Sequence, residues 1–101
     1  MISVIVSYQV SPEFAEQNKE NIRAFLADFE QLDQNRFQYN VFLKEDGVSF
    51  IHQAHYQDED MQTHLLQVPS FKAFQELRDA SGLNDSHRLE IVEWIGSKGK
   101  L

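Results

Sequence analysis

The alternation of apolar and polar positions predicts four strands. From Ile2 to Val10 the apolar side chains of Val4, Val6 and Tyr8 fall on one face of the chain, as expected for a strand with a side-chain period of two. The same pattern predicts strands over Arg36–Lys44, Val48–Tyr56 and His87–Ile95. Between the second and third strands, Asp46-Gly47 is typical of a hairpin turn.

Apolar residues spaced by three and four positions predict helices between these strands. After an N-cap at Ser11 and a proline at the first helical position, Pro12, one stripe contains Phe14, Ile22, Phe25, Leu26, Phe29 and Leu32. A second helical region begins with Asp58 as its predicted N-cap. Val68-Pro69 divides it, because proline disfavours helix in the residue before it. The second segment has an apolar stripe of Phe71, Phe74 and Leu77 and ends at Ser81-Gly82.

This β-α-β-β-α-β order predicts an α+β fold, a ferredoxin-like sandwich with helices on one face of an antiparallel sheet. We expect one domain over residues 1–96 and a flexible tail over 97–101. The strands also carry apolar residues on the face opposite the helices, namely Ile5, Phe42, Ile51, Val92 and Trp94. A homodimer with the two sheets packed face to face would bury them.

Composition limits the partners and the compartment. The chain has 101 residues, nine basic against 16 acidic side chains, a net charge of -7 and no cysteine. The negative charge argues against binding nucleic acid, and the lack of cysteine excludes disulfides and thiol catalysis. The first apolar run is too short for a signal peptide or a membrane span. We therefore expect a cytoplasmic protein with no membrane association.

Four side chains are candidates for binding or proton transfer. His64, on the short helix, could accept a proton from a phenolic ligand, because an unperturbed histidine titrates near neutral pH. A structural histidine that caps or braces the helix break is the more common case. Tyr39 and Tyr56 could each offer a hydroxyl to a ligand, or pack in the core. His52 shares a strand face with Tyr56 and could join it in a pocket, although a structural histidine in the sheet is the more common case.

The sequence predicts neither a metal site nor a cofactor. His52 and His55 are three positions apart on a strand, so they point to opposite faces and cannot chelate one ion. The acidic run Asp58-Glu59-Asp60 suits a helix N-terminus better than a calcium loop. The sequence contains no glycine-rich phosphate loop and no nucleotide-binding fingerprint.

The chain from Ile2 to Gly96 resembles the dimeric α/β-barrel proteins of the antibiotic biosynthesis monooxygenase type. The resemblance rests on the order of elements and on four features: a tyrosine in the second strand (Tyr39), an aromatic ending the third (Tyr56), a helix histidine (His64), and the spaced aromatics Phe71 and Phe74. Two positions depart from the pattern. Asn35 stands where a glycine is usual, and Ala54 where a glutamate is common.

The resemblance implies a cofactor-independent monooxygenase that acts on a small aromatic or quinol-type molecule. His64 and Tyr56 would then be catalytic, and Tyr39, His52, Phe71 and Phe74 would contact the ligand. Periodicity alone assigns the two phenylalanines to the core. Haem degradation is disfavoured because the single tryptophan, Trp94, lies in the last strand. The alternative is a non-enzymatic dimer that binds a small hydrophobic ligand or serves a stress or regulatory role, which the alanine at position 54 favours.

Overall fold

A computed structural model describes residues 1–100 and has one layer of helices on a four-stranded sheet. The sheet has the order β2-β3-β1-β4, and every neighbouring pair is antiparallel. This is the predicted α+β, ferredoxin-like arrangement. The elements are β1 (Ile2–Gln9), α1 (Ala15–Asp28), β2 (Phe37–Leu43), β3 (Ser49–Tyr56), α2 (Glu59–Leu66), α3 (Pro69–Ala80) and β4 (Arg88–Val92).

The two ends of α1 differ from the prediction. The Ser11 side chain caps nothing; a 3-10 turn, Pro12–Phe14, leads into the helix instead, with the Phe14 N–H donating to the Ser11 carbonyl. Another 3-10 turn, Phe29–Gln31, follows the last residue of α1. The Ser11 carbonyl thus accepts the hydrogen bond at the start of the helix that was expected of the Ser11 hydroxyl.

The hairpin and the cap of α2 follow the sequence closely. Gly47 has a φ of 77° in the turn between β2 and β3, and Asp46 Oδ1 accepts from the N–H groups of Val48 and Ser49. At the start of α2, Asp58 Oδ1 accepts from the Met61 N–H at 2.9 Å. Pro69 opens α3 after an extended Val68, so the helical region is divided where predicted.

The core lies between the sheet and the helices and is rich in aromatic rings. The inner residues of β1 and β3 meet Phe25 from α1, Phe29 from the 3-10 turn after it, and Phe71 and Phe74 from α3. Two buried positions differ from the predicted stripes. Asn18, expected on the polar side of α1, is fully buried, and Arg78 is only 8% exposed while Leu77 is 48% exposed.

The opposite face of the sheet has no covering layer within the described residues. Phe42 and Trp94 are 51% and 46% exposed there. The Trp94 ring meets the edge of His55, which is hydrogen-bonded to Ser3 Oγ at 2.6 Å. The predicted tail, 97–101, begins after β4 and ends at a residue outside the described part. None of the described helices has the length and apolar character needed to cross a membrane.

Candidate functional site

A cavity of about 300 Å³ lies between the sheet and helices α2 and α3. Its position follows from the strand register, which places Ala54 opposite Tyr39 on one side and Val4 on the other. The alanine leaves room that a larger side chain would fill. The lining is apolar at Val4, Val6, Ala54, Leu66, Phe71 and Leu89 and polar at Tyr39, His52, Tyr56, Gln62, Gln75, Arg78 and His87.

A depression of about 270 Å³ lies elsewhere, beside Trp94, His55 and Met1. It is more open to solvent, and it adjoins the uncovered face of the sheet. The buried histidine, the buried arginine and two hydroxyl groups converge on the cavity between the sheet and α2 and α3, so we take that cavity as the candidate site.

His52 is held between two tyrosines in a buried hydrogen-bonded chain. Its Nε2 lies 2.8 Å from the Tyr8 hydroxyl and its Nδ1 lies 2.8 Å from the Tyr39 hydroxyl. Asn18 Nδ2 donates to the Tyr8 oxygen at 2.9 Å. The chain links α1, β1, β3 and β2, and both ring nitrogens of His52 are occupied.

The direction of the two hydrogen bonds of His52 depends on the tautomer of its ring. A neutral imidazole donates through one nitrogen and accepts at the other, so one of the two tyrosines donates to His52 and the other accepts from it. The tyrosine that accepts keeps its own hydroxyl proton. With the imidazole proton on Nδ1, the Tyr39 hydroxyl proton would be available to a ligand in the cavity.

Burial fixes the protonation states of these groups. It lowers the pKa of His52 to about 3, with smaller contributions from Arg78 and His87. It raises the pKa of Tyr8 and of Tyr56 to about 12 and that of Tyr39 well above its ordinary value. At neutral pH His52 is therefore uncharged, and the tyrosines keep their protons and act as hydrogen-bond donors.

Arg78 brings a positive charge to the cavity from α3. Its guanidinium carbon lies 5.3 Å from the ring centroids of both Tyr8 and Phe74, an arrangement that favours cation–π attraction. Nε donates to Asp79 Oδ1 at 3.0 Å. Within residues 1–100 neither Nη nitrogen has a hydrogen-bond partner. No Asp or Glu lines the cavity, so Arg78 is its one permanently charged group in the described chain.

The structure brings together four of the six residues singled out from the sequence. Tyr39, His52, Tyr56 and Phe71 line the cavity. Phe74 lies behind it in the core, 1% exposed, with its ring 5.4 Å from that of His52.

His64, expected to share the cavity with Tyr56, lies outside it. The side of α2 that packs on the sheet carries Met61 and Leu65, and the flank that reaches the cavity carries Gln62 and Leu66. His64 occupies the other flank and is exposed, because three residues along a helix turn the side chain about 60° short of a full turn.

Arg78, Tyr8 and Asn18 were missed by sequence reasoning. A signal existed for Arg78, which follows Phe74 by four positions and Phe71 by seven, the spacing of one helix face. A signal existed also for Tyr8, already placed on the inner face of β1. Asn18 offered none, since a polar residue on an amphipathic helix normally faces water.

The comparisons with known proteins support the fold through structure. No protein-family model matches the sequence, and no curated protein matches it. Among solved structures, one described as an antibiotic biosynthesis monooxygenase superposes with a TM-score of 0.78 at 14% identity, covering 95% of this chain and 100% of the other.

Two further structures are described as candidate enzymes of the same kind. The one from Deinococcus radiodurans has a TM-score of 0.75 at 14% identity and covers 100% of this chain and 99% of its own. The one from Nitrosomonas europaea has a TM-score of 0.76 at 14% identity, with 97% and 93% covered. At such identity the likeness concerns the backbone. The chain therefore has the ferredoxin-like fold of the proteins described as antibiotic biosynthesis monooxygenases, as its resemblance to them implied.

Proposed function

We propose that this protein is a cofactor-independent, monooxygenase-like protein that binds and oxidises a small aromatic or quinol-type molecule in the cavity between the sheet and α2 and α3. The observation that carries the proposal is the cavity itself. It combines apolar walls with a few convergent polar groups, Tyr39, His52, Tyr56 and Arg78, the usual composition of a small-molecule site.

The chemistry would rest on the substrate. An anthrone-type substrate would give up one CH₂ proton to solvent and form an electron-rich anion, which reduces molecular oxygen directly. The CH₂ carbon becomes a carbonyl that keeps one oxygen atom, and the other oxygen leaves as water, with the remaining hydrogen of that carbon and a proton taken back from solvent. The protein would hold the anion, orient it and keep bulk water away. His52 is not the base in this scheme, because both of its nitrogens are already hydrogen-bonded.

Oxygen uptake with anthrone as substrate tests this proposal. We expect uptake above the non-enzymatic rate, and we expect Ala54→Ile to abolish the excess by filling the cavity floor. Ala24→Ile, at an exposed position on α1, adds the same atoms elsewhere and should keep the activity. Uptake equal to the uncatalysed rate with the wild-type protein would contradict oxygenase activity.

A non-enzymatic binding protein is the second candidate, and one observation favours it. The position where similar proteins commonly carry a glutamate is Ala54, and no carboxylate lines the cavity. Retained binding of aromatic ligands without oxygen uptake would support this alternative.

The proposal includes a twofold homodimer formed through the uncovered sheet face. Ile5, Ile51 and Val92 are half-buried there, and Phe42 and Trp94 are exposed. Apolar side chains grouped on an exposed face often mark an interaction site. Two copies packed sheet to sheet would bury it and leave both cavities on the outer, helical sides.

A further inference from the structure

We infer that the cavity selects an aromatic ligand that carries a negatively charged oxygen, a phenolate, enolate or carboxylate, and that Arg78, with the hydroxyls of Tyr39 and Tyr56, binds that oxygen. The inference rests on the proposed function only in taking this cavity as the ligand site. It names the charge of the ligand and assigns a binding residue, Arg78, that neither the sequence pattern nor the fold comparison singles out.

The first support is the state of Arg78. The Arg78 side chain is only 9% exposed, yet its carboxylate partner binds only Nε and is itself 62% exposed. Charged groups with so little exposure are usually paired, because an unpaired buried charge is costly. Here the two Nη nitrogens have no protein partner among residues 1–100, and they are not sealed from solvent, so water or a ligand in the cavity can reach them. An anionic oxygen would satisfy them, and the planar fork suits a carboxylate in particular.

The second support is the set of hydroxyls beside Arg78. Tyr56 is 2% exposed, lines the cavity, and makes no side-chain hydrogen bond with the described residues, so its hydroxyl proton has no partner there. Tyr39 also lines the cavity, with its hydroxyl 2.8 Å from His52 Nδ1. The site therefore offers one cation, a hydroxyl donor at Tyr56 and no carboxylate, which favours an acceptor with negative charge.

The rest of the molecule does not attract anions. A net charge of -7 repels them over the surface as a whole. Any preference for an anionic ligand must then arise locally, and Arg78 is the permanent positive charge on this cavity.

Calorimetric titration with naphthoate and with naphthamide substituted at the same carbon tests the inference. The two probes have the same rings and nearly the same shape, and only naphthoate is charged at neutral pH. We expect the wild-type protein to bind naphthoate about 10-fold more tightly, the size of the change when a neutral hydrogen bond is exchanged for a charge-assisted one. Equal affinities, a preference for naphthamide, or no binding of either probe would overturn the inference.

Single substitutions test which residues cause the preference for naphthoate. Arg78→Met keeps most of the volume packed on Tyr8 and Phe74 and should remove the preference, while Arg78→Lys should keep part of it. Arg23→Met removes the same charge from an exposed position of α1 outside this cavity and should leave both affinities unchanged. If Arg78→Met does not fold, Tyr39→Phe and Tyr56→Phe test the inference instead. Each should weaken the binding of naphthoate more than the binding of naphthamide. An anion preference that survives in these variants would contradict the assignment.

These outcomes are separate from those of the proposed oxygenase. Naphthoate has no oxidisable CH₂ or quinol group, so its binding says nothing about oxygen uptake. A protein that prefers naphthoate yet consumes no oxygen with anthrone would keep this inference and lose the catalytic proposal.

Discussion

At the scale of single residues, the Asn18–Tyr8–His52–Tyr39 chain determines which groups are free for a ligand. Each member inside the chain has its hydrogen bonds used by a neighbour, and the end member, Tyr39, faces the cavity. The same contacts hold α1 and three strands in fixed relative positions. A polar chain of this kind is stabilising only while every link is made.

Tyr8→Phe should lower the free energy of unfolding by about 1–3 kcal/mol. The change removes one oxygen and leaves both Asn18 Nδ2 and His52 Nε2 buried without a partner. Urea denaturation would measure the loss. Tyr56→Phe is the matched control, because the Tyr56 hydroxyl makes no side-chain hydrogen bond within the described chain, and it should cost much less. Equal costs would show that the chain has no special role in stability.

Stability should fall with acid in part because of His52. Its folded-state pKa is about 3, below the value of about 6.5 in the unfolded chain. Between these values only the unfolded state binds the proton, so the contribution is complete above about pH 6.5 and is lost as the pH falls towards 3. The slope is at most about 1.4 kcal/mol per pH unit. His52→Gln should show a shallower decline than wild type between these limits, and identical slopes would contradict the assignment.

At the scale of elements, the N-terminus of α2 joins two parts of the fold. Asp58 accepts from the Met61 N–H and also from Arg36 Nη2, which precedes β2. Since Asp58 and Arg36 are both partly exposed, the ion pair contributes little, and the cap bond carries most of the stabilisation.

Asp58→Ala should therefore cost about 0.5–2 kcal/mol of stability, the usual effect of losing an N-cap oxygen. Asp60→Ala is a close control, because Asp60 also approaches Arg36, at 3.8 Å, but caps nothing. Thermal melting of both variants measures the difference. Similar melting temperatures for the two would place the cap bond elsewhere.

The elements were predictable from the sequence because their signals are local. The alternation of apolar and polar residues identified the strands. Proline and aspartate marked the starts of helices, and glycine marked the hairpin turn. The polar residues of the site were harder, because their burial depends on partners from other elements. Asn18 is buried by a contact with Tyr8 that no helical pattern reveals, and Arg78 is kept inside by the rings of Tyr8 and Phe74. His64 looked suitable by residue type, yet the rotation of α2 places it on the flank that does not reach the cavity.

At the scale of the whole molecule, the two faces of the sheet have different surroundings. One face carries the helices and contains the cavity, although Leu89 and Ile91 of β4 stay exposed on it. The other face presents apolar side chains that include Phe42 and Trp94. We expect the uncovered face to associate, so its substitution should change the mass in solution while leaving the cavity intact.

Trp94→Glu should shift the protein from dimer towards monomer, because a charge would have to be buried between the sheets. Leu77→Glu places the same charge on the exposed side of α3, where Leu77 is 48% exposed, and should leave the dimer unchanged. Sedimentation at micromolar concentration measures both. A wild-type protein found only at the monomer mass would contradict the dimer, and an unchanged dimer in Trp94→Glu would contradict the place of Trp94 in it.

The position of the only tryptophan has a practical consequence. Trp94 contacts His55 on the uncovered face and does not line the cavity of Tyr39 and Arg78. Its fluorescence is thus a built-in spectroscopic label for one side of the sheet. Emission should respond when subunits separate and should remain constant when a ligand that does not itself absorb or emit in that range enters the cavity. The protein can report its own assembly without any attached dye.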